Sequence, residues 1–492
     1  MHWHGIRQLH TVQMDGVNGI TQCPVAEGDT YQYKFKIMQY GTSWYHSHYS
    51  AQYSDGVAGP MLIHGPNSDN WDEEWEPIMV TDWLHNTAFE EYHKEHFGNG
   101  KLPQADSILL NGKGRFNGKG EYYINKFEAG KKYLIRIINA STSLHFHFSI
   151  DGHKFKVIST DFVPIKPYET NSLSVGIGQR YNVIVEAKPE TPSSNGKYWI
   201  RTEYTGGTCN GGQVRGAPLG DADPARDNQR VGIISYMDAT GTDNPTSTRT
   251  QVEPDCLDEP FDKLEPIVKW SVSAPQNDIK GAVFEAGLDF KDKRMQRMGV
   301  NHWTITDTAM WLNPSSPTIL NLANTTWDPE YAVVDYNYDD GDNMVYMVIT
   351  SGNHSTRSNK LATDHPIHLH GHDFAVIGQK ANELYDPQRT PLTFKLNNPP
   401  RRDTAMLPRG GYLAIAFKPD NPGIWALHCH IAWHAGSGLA LQIMERHTEI
   451  ARANGDSSGA FTTIREGCQK WDKWLLKNPH KFNETMRDDS GI

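Results

Sequence analysis

The chain reads as all-β, two or three sandwich or barrel domains in series, and three observations predict this. At 492 residues it is too long for one ordinary core. Glycine (43) and proline (28) are plentiful, so turns are frequent and long helices are interrupted. Short apolar runs alternate with those turn signals instead of recurring at helical spacing.

The runs fall into three regions. Residues 1–70 end in the strand-like run 59–64. Residues 71–262 hold runs at 133–138, 155–158, 181–185 and 231–234, and include a polar stretch rich in Gly, Asp and Thr from about 205 that reads as a long loop or linker. Residues 263–492 hold runs at 344–349, 374–377 and 412–417, and residues 449–477 read as an amphipathic helix. The net charge of −11 argues against nucleic acid or an anionic membrane as partner. No apolar run approaches the length of a membrane span.

Histidine carries the chemistry. His-x-His occurs at 2/4, 46/48, 145/147, 368/370, 370/372 and 428/430, where 23 histidines would give roughly one such pair by chance. On a strand, residues i and i+2 project from one face, so each pair aims two imidazoles at one point. Imidazole suits copper, iron, nickel or zinc. In His428-Cys429-His430 the thiol must face away from its neighbours, so one sulfur serves one metal centre while the flanking imidazoles serve another. A thiolate with two histidines and a weak axial position describes a blue-copper centre; His434, in the turn after the strand, can supply one of them and His365, which stands apart from the 368/370 pair, the other. The pairs 2/4, 46/48, 368/370 and 428/430 leave eight imidazoles, enough for three further coppers. Three coppers at one spot suit a four-electron reaction with dioxygen. Five cysteines leave four besides Cys429, and spacing alone allows three pairings.

The strings HWHG (2–5), GTSWYHSHYSAQYSDGVAG (41–59), HPIHLHGHDF (365–374) and HCHIAWH (428–434) resemble, in order, the four copper signatures of multicopper oxidases. Their wording is similar to laccases of ascomycete fungi. The resemblance implies three cupredoxin-like Greek-key β-barrels, the first incomplete at its N-terminus, and four copper ions per chain. It implies type 1 copper on His365, Cys429 and His434, and type 2 copper on His2 and His368. The type 3 pair falls on His4, His46, His48, His370, His428 and His430. The implied activity is one-electron oxidation of phenols, diphenols and aromatic amines coupled to reduction of O2 to water. Alternatives are a multicopper oxidase for ferrous iron, ascorbate or a pigment precursor, or a truncated, non-catalytic copper-binding protein.

Further positions carry over. Leu439 takes the type 1 axial place, where a non-coordinating side chain favours a stronger oxidant than methionine does. Asp161 matches a pocket carboxylate that accepts the phenolic proton, and Trp433 a wall of the same pocket. Asp15 matches an acid near the type 2 copper. Residues 488–492 are similar to a C-terminal tail that plugs a channel to the cluster. The implied bridges are Cys23–Cys468 and Cys209–Cys256, and two bridges suggest an oxidising compartment. With sequons at Asn139, Asn324, Asn353 and Asn483, a secreted monomer is expected.

Three features stand outside the pattern. His145 and His147 are expected to be ordinary strand histidines and His372 a non-ligand, while His93 and His96 are expected on a solvated acidic surface. Strands that normally precede the first histidine motif are absent from the sequence. Unpaired edges and weak type 2 copper binding are expected in consequence.

Overall fold

The computed structural model describes residues 1–97, 103–204, 213–214, 230–239, 241, 243–252, 255–275, 283–288, 302–336, 344–351, 363–385, 394–455, 459–479 and 489–492. Strands dominate, and each apolar run above forms one. In the first region β1 (His2–Trp3), β2 (Gly41–His46) and β3 (Ala58–Ile63) form an antiparallel three-stranded sheet in that order. His2 pairs with His46 across it, which brings two motifs 44 residues apart into one layer. From Tyr31 to Gln39 half-buried and exposed residues alternate, yet no strand among the described residues pairs with this segment.

The middle region is a sandwich. One sheet includes β4 (Ile78–Trp83), which is followed by the helix α1 (Ala88–Phe97), and β5 (Lys132–Asn139). The other includes β6 (Phe146–Ile150). Its interior is filled by Phe146, Phe148, Val157, Tyr181 and Val183. β5 is buried almost throughout, which explains its unbroken apolar run.

The third region is a second sandwich. One of its sheets contains β7 (His365–Leu369), β8 (Gly423–Cys429) and β9 (Ala440–Glu445). α2 (Ala432–Gly436) directly follows β8. The first region shares this core: Val12, Val17 and Ile20 belong to the same apolar cluster as Ile367, Leu427 and Ile443. That shared burial holds the histidines of the two regions face to face.

The helix expected over 449–477 is divided into Ile450–Ala453 and α3 (Thr462–Lys477). Gly455 and Gly459 between them have φ of +74° and +82°, a left-handed backbone that ends a helix. α3 carries Cys468, bridged to Cys23 of the first region. Cys256 is disulfide-bonded, and its expected partner Cys209 lies outside the described residues. No helix among the described residues is long and apolar enough to cross a membrane.

One sequon is corrected. Asn139 is fully buried, and its amide donates to Leu144 O (3.0 Å) and Val175 O (2.8 Å), so it carries no glycan. Asn324 is exposed, whereas Asn353 and Asn483 lie outside the described residues.

Candidate metal centres

Cys429 ends β8, His365 begins β7, and His434 projects from α2. Cys429 Sγ lies 3.6 Å from His365 Nδ1 and 3.7 Å from His434 Nδ1, and the two nitrogens are 3.2 Å apart. The centre of this triangle is about 2 Å from each donor, the length of an imidazole– or thiolate–metal bond. All three side chains are buried. Burial pushes the Cys429 thiol up, holds His365 down at about 3 and places His434 well below its usual value. The imidazoles are therefore neutral and ready to ligate, and a cation must displace the thiol proton.

Strand alternation sends the flanking residues of Cys429 to the other side. There His428 and His430 meet six more imidazoles, all nearly inaccessible to water. His4, His46 and His430 bring one nitrogen each to within 4.8 Å of one another, and His48, His370 and His428 do the same. His2 and His368 close the group, with His4. Burial first, and neighbouring imidazoles second, hold His4, His48, His368 and His370 well below the usual histidine range.

Five of the rings are fixed from behind. Nδ1 donates to Asp15 O from His2 (2.9 Å), to Ser47 O from His46 (2.9 Å) and to Asp403 O from His368 (2.8 Å). His370 Nδ1 donates to Asp15 Oδ2 and His428 Nδ1 to Cys429 O. Since these oxygens only accept, the proton sits on Nδ1 and the Nε2 lone pair faces inward. Nε2 of His2, His46 and His368 is buried with no hydrogen-bond partner. Unpartnered buried nitrogens aimed at common points are costly in a metal-free protein and fit cations.

Asp15 sits behind the cluster, its carboxylate also 3.3 Å from His2 Nδ1. Leu439 is fully buried; its N–H donates to His434 O, and its carbonyl accepts from Cys429 N. Leu439→Met would offer a thioether to the oxidised ion. We expect that variant to lower the reduction potential of an ion held by His365, Cys429 and His434 on the order of 60 mV, equivalent to a tenfold shift for one electron, measured by redox titration.

Asp161 is not where the resemblance implied. It is buried between Arg180 (3.3 Å) and Arg402 (3.3 Å), accepts the Asp403 and Arg180 N–H groups, and has no contact with His365, Cys429 or His434. Burial alone would raise its carboxyl, but the two guanidinium groups outweigh this and hold it below the usual range. A carboxylate so held is a poor proton acceptor and no part of a pocket wall.

Sequence reasoning missed what this network supports. Asp403 takes Arg180 bidentately (2.6 and 2.7 Å), and its Oδ1 lies 3.2 Å from His4 Nε2. A side chain on Gly5 would meet Asp403 Oδ2 at 2.4 Å, and Gly5 has φ +74°, so the glycine closing His-Trp-His-Gly is required on both counts. The only signal was Arg401-Arg402-Asp403, three charges entering a buried strand. Trp303 was also missed. It stacks on His434 at 4.1 Å between ring centroids. Trp433 is buried and lies against Tyr92 at 6.2 Å.

His145 pairs with Ser174 Oγ (2.8 Å), His147 with Asp255 O (3.2 Å) and His372 with Glu445 (2.9 Å). The expectation of a solvated surface at 93–96 holds for His93 and Lys94. His96 and Glu95 are buried, because this face of α1 packs on the third region, where His96 Nδ1 meets Ser437 Oγ at 3.4 Å. Ser490 donates from its N–H to Gly436 O (2.8 Å) and from Oγ to Ala435 O (2.9 Å). Ile492 lines a cavity of about 20 Å³ together with His46, His48, His428 and His430. Asp488 lies outside the described residues.

Three multicopper oxidase family models match residues 1–68, 74–216 and 295–449. A laccase of Arthroderma benhamiae is 45% identical over 100% of this chain and 77% of its own length. Laccase-2 of Botryotinia fuckeliana is 39% identical over 100% of this chain and 79% of its own length. The crystal structure of a laccase from Botrytis aclada superposes with a TM-score of 0.86 at 38% identity, over 100% of this chain and 84% of that one. The cupredoxin-like fold and copper as cofactor follow from this kinship. The chain is therefore an oxidoreductase of the multicopper oxidase family, of the fungal laccase type.

Proposed function

We propose that this protein oxidises phenols, diphenols and aromatic amines one electron at a time and reduces O2 to two waters, consuming four electrons and four protons. The carrying observation is the divergence at Cys429: its sulfur points to His365 and His434 while His428 and His430 point to the imidazole cluster. Type 1 copper is assigned to His365, Cys429 and His434, and type 2 copper to His2 and His368. The two triads, His4/His46/His430 and His48/His370/His428, are assigned the type 3 pair. Copper held by these residues, four ions per chain, would supply reversible one-electron chemistry at the first site and electrons for O2 at the second.

The chain's own residues do the rest. Trp303 and the buried setting of His434 exclude water from the receiving site. The covalent run from Cys429 to His428 and His430 joins the two sites, and the His428 Nδ1–Cys429 O hydrogen bond shortens it further. Asp15 orients His2 and His370. Ile492 narrows access to the cluster. The disulfide and the exposed Asn324 accord with secretion, and the proposed protein is a monomer whose partners are phenolic donors and O2.

The test is copper per chain, the visible thiolate band, and oxygen uptake with a panel of donors. Four coppers, a blue band and uptake with phenols and aromatic amines are expected. Uptake supported by ferrous iron or ascorbate alone would replace this reading with a metal or ascorbate oxidase.

A further inference from the structure

Asp82 ends the buried part of β4, and three donors converge on its carboxylate. Thr142 N lies at 2.6 Å, Ser143 N at 2.8 Å and Ser143 Oγ at 3.1 Å. From the other side Asn139 Oδ1 accepts Ser141 N at 3.0 Å, while its amide is tied to Leu144 O and Val175 O. Residues 141–143 are thus pinned at both ends by the middle region.

Their carbonyls face the two neighbouring regions. Ser141 O accepts from Tyr53 Oη at 3.3 Å, and the same hydroxyl lies 3.3 Å from His430 O. Thr142 O accepts from Ala432 N at 3.1 Å. Tyr53 stands five residues after His48, and Ala432 two after His430. The first and third regions therefore each touch this one loop within a few residues of their cluster histidines.

We propose that Asp82 is a positioning residue that holds the two halves of the imidazole cluster in register through residues 141–143. A carboxylate accepts all three donors, whereas an asparagine has one acceptor oxygen and would turn an NH2 toward N–H groups. The consequence is selective. His365, Cys429 and His434 all belong to the third region and need no joint to meet. Each type 3 triad takes ligands from the first and third regions, so a loosened joint acts on them.

The inference rests on the copper assignment proposed above. The test uses copper-loaded full-length protein, Asp82→Asn and Tyr53→Phe, the second removing only the shared hydroxyl. Read-outs are the type 1 visible band per chain, the type 3 near-ultraviolet absorption, and copper retained against a chelator. Asp82→Asn is expected to keep the type 1 band and to hold trinuclear copper about 10-fold more weakly, the scale of other outer-layer losses at metal sites. Tyr53→Phe should lose affinity in the same direction by less. Unchanged type 3 absorption and retention in both variants overturns the proposal, as does loss of every band in proportion to the folded fraction by circular dichroism. If Asp82→Asn does not fold, Tyr53→Phe decides. Wild-type protein lacking a type 3 signature overturns the copper assignment instead, before either variant is compared.

Discussion

Cys429→Ser is expected to abolish the blue band and to reduce turnover with every donor by about 10⁴-fold or more, the scale of removing one member of an interdependent catalytic set. Serine is nearly the same size, so the buried strand end that presents it to His365 and His434 persists. An alcohol is a far weaker ligand for copper than a thiolate, and the site loses its one soft donor. His428 and His430 are held by separate contacts, with His430 N–H donating to Pro366 O at 2.7 Å. Trinuclear copper should therefore remain at wild-type occupancy. Turnover surviving in Cys429→Ser would show that electrons enter the cluster by another route.

The second large effect is expected at Asp15. Its carboxylate accepts the His370 Nδ1 proton at 2.8 Å and approaches His2, so it sets two rings at once. Asp15→Ala leaves the Asp15 carbonyl to hold His2 but frees His370 to rotate. Trinuclear copper affinity should fall about 10- to 100-fold, as for other residues that orient metal ligands. Anaerobic reduction of the type 1 centre by a phenol, followed by stopped flow, should be unchanged, while reoxidation by O2 slows. Equal slowing of both half-reactions would mean that Asp15 supports the fold and not the cluster.

Much of the candidate site was legible because its ligands lie in short local patterns. A strand's two-residue period makes His428-Cys429-His430 face two ways whatever surrounds it, and the structure places the three side chains so. Four paired motifs likewise announce four edges of one cluster. Asp161 was misread for the opposite reason. An aspartate after a strand looks the same whether it faces a pocket or two arginines, and Arg180 and Arg402 lie 19 and 241 residues away. His96 was misread similarly. Its neighbours Glu90, Glu91 and Lys94 make the helix look solvated, although the face carrying Tyr92, Glu95 and His96 is covered by the third region.

By itself the sequence determined the all-β class, the identity of eleven candidate ligands and their segregation into a thiolate site and an imidazole cluster, because each depends on residue type and local period. Only the tertiary structure decided how the imidazoles divide into triads, that Asp403 and Arg180 stand behind His4, and that first and third regions share one core while the middle region touches both. Those choices are made by contacts between residues hundreds of positions apart, where no local period operates and only shape, burial and charge pairing select the partner.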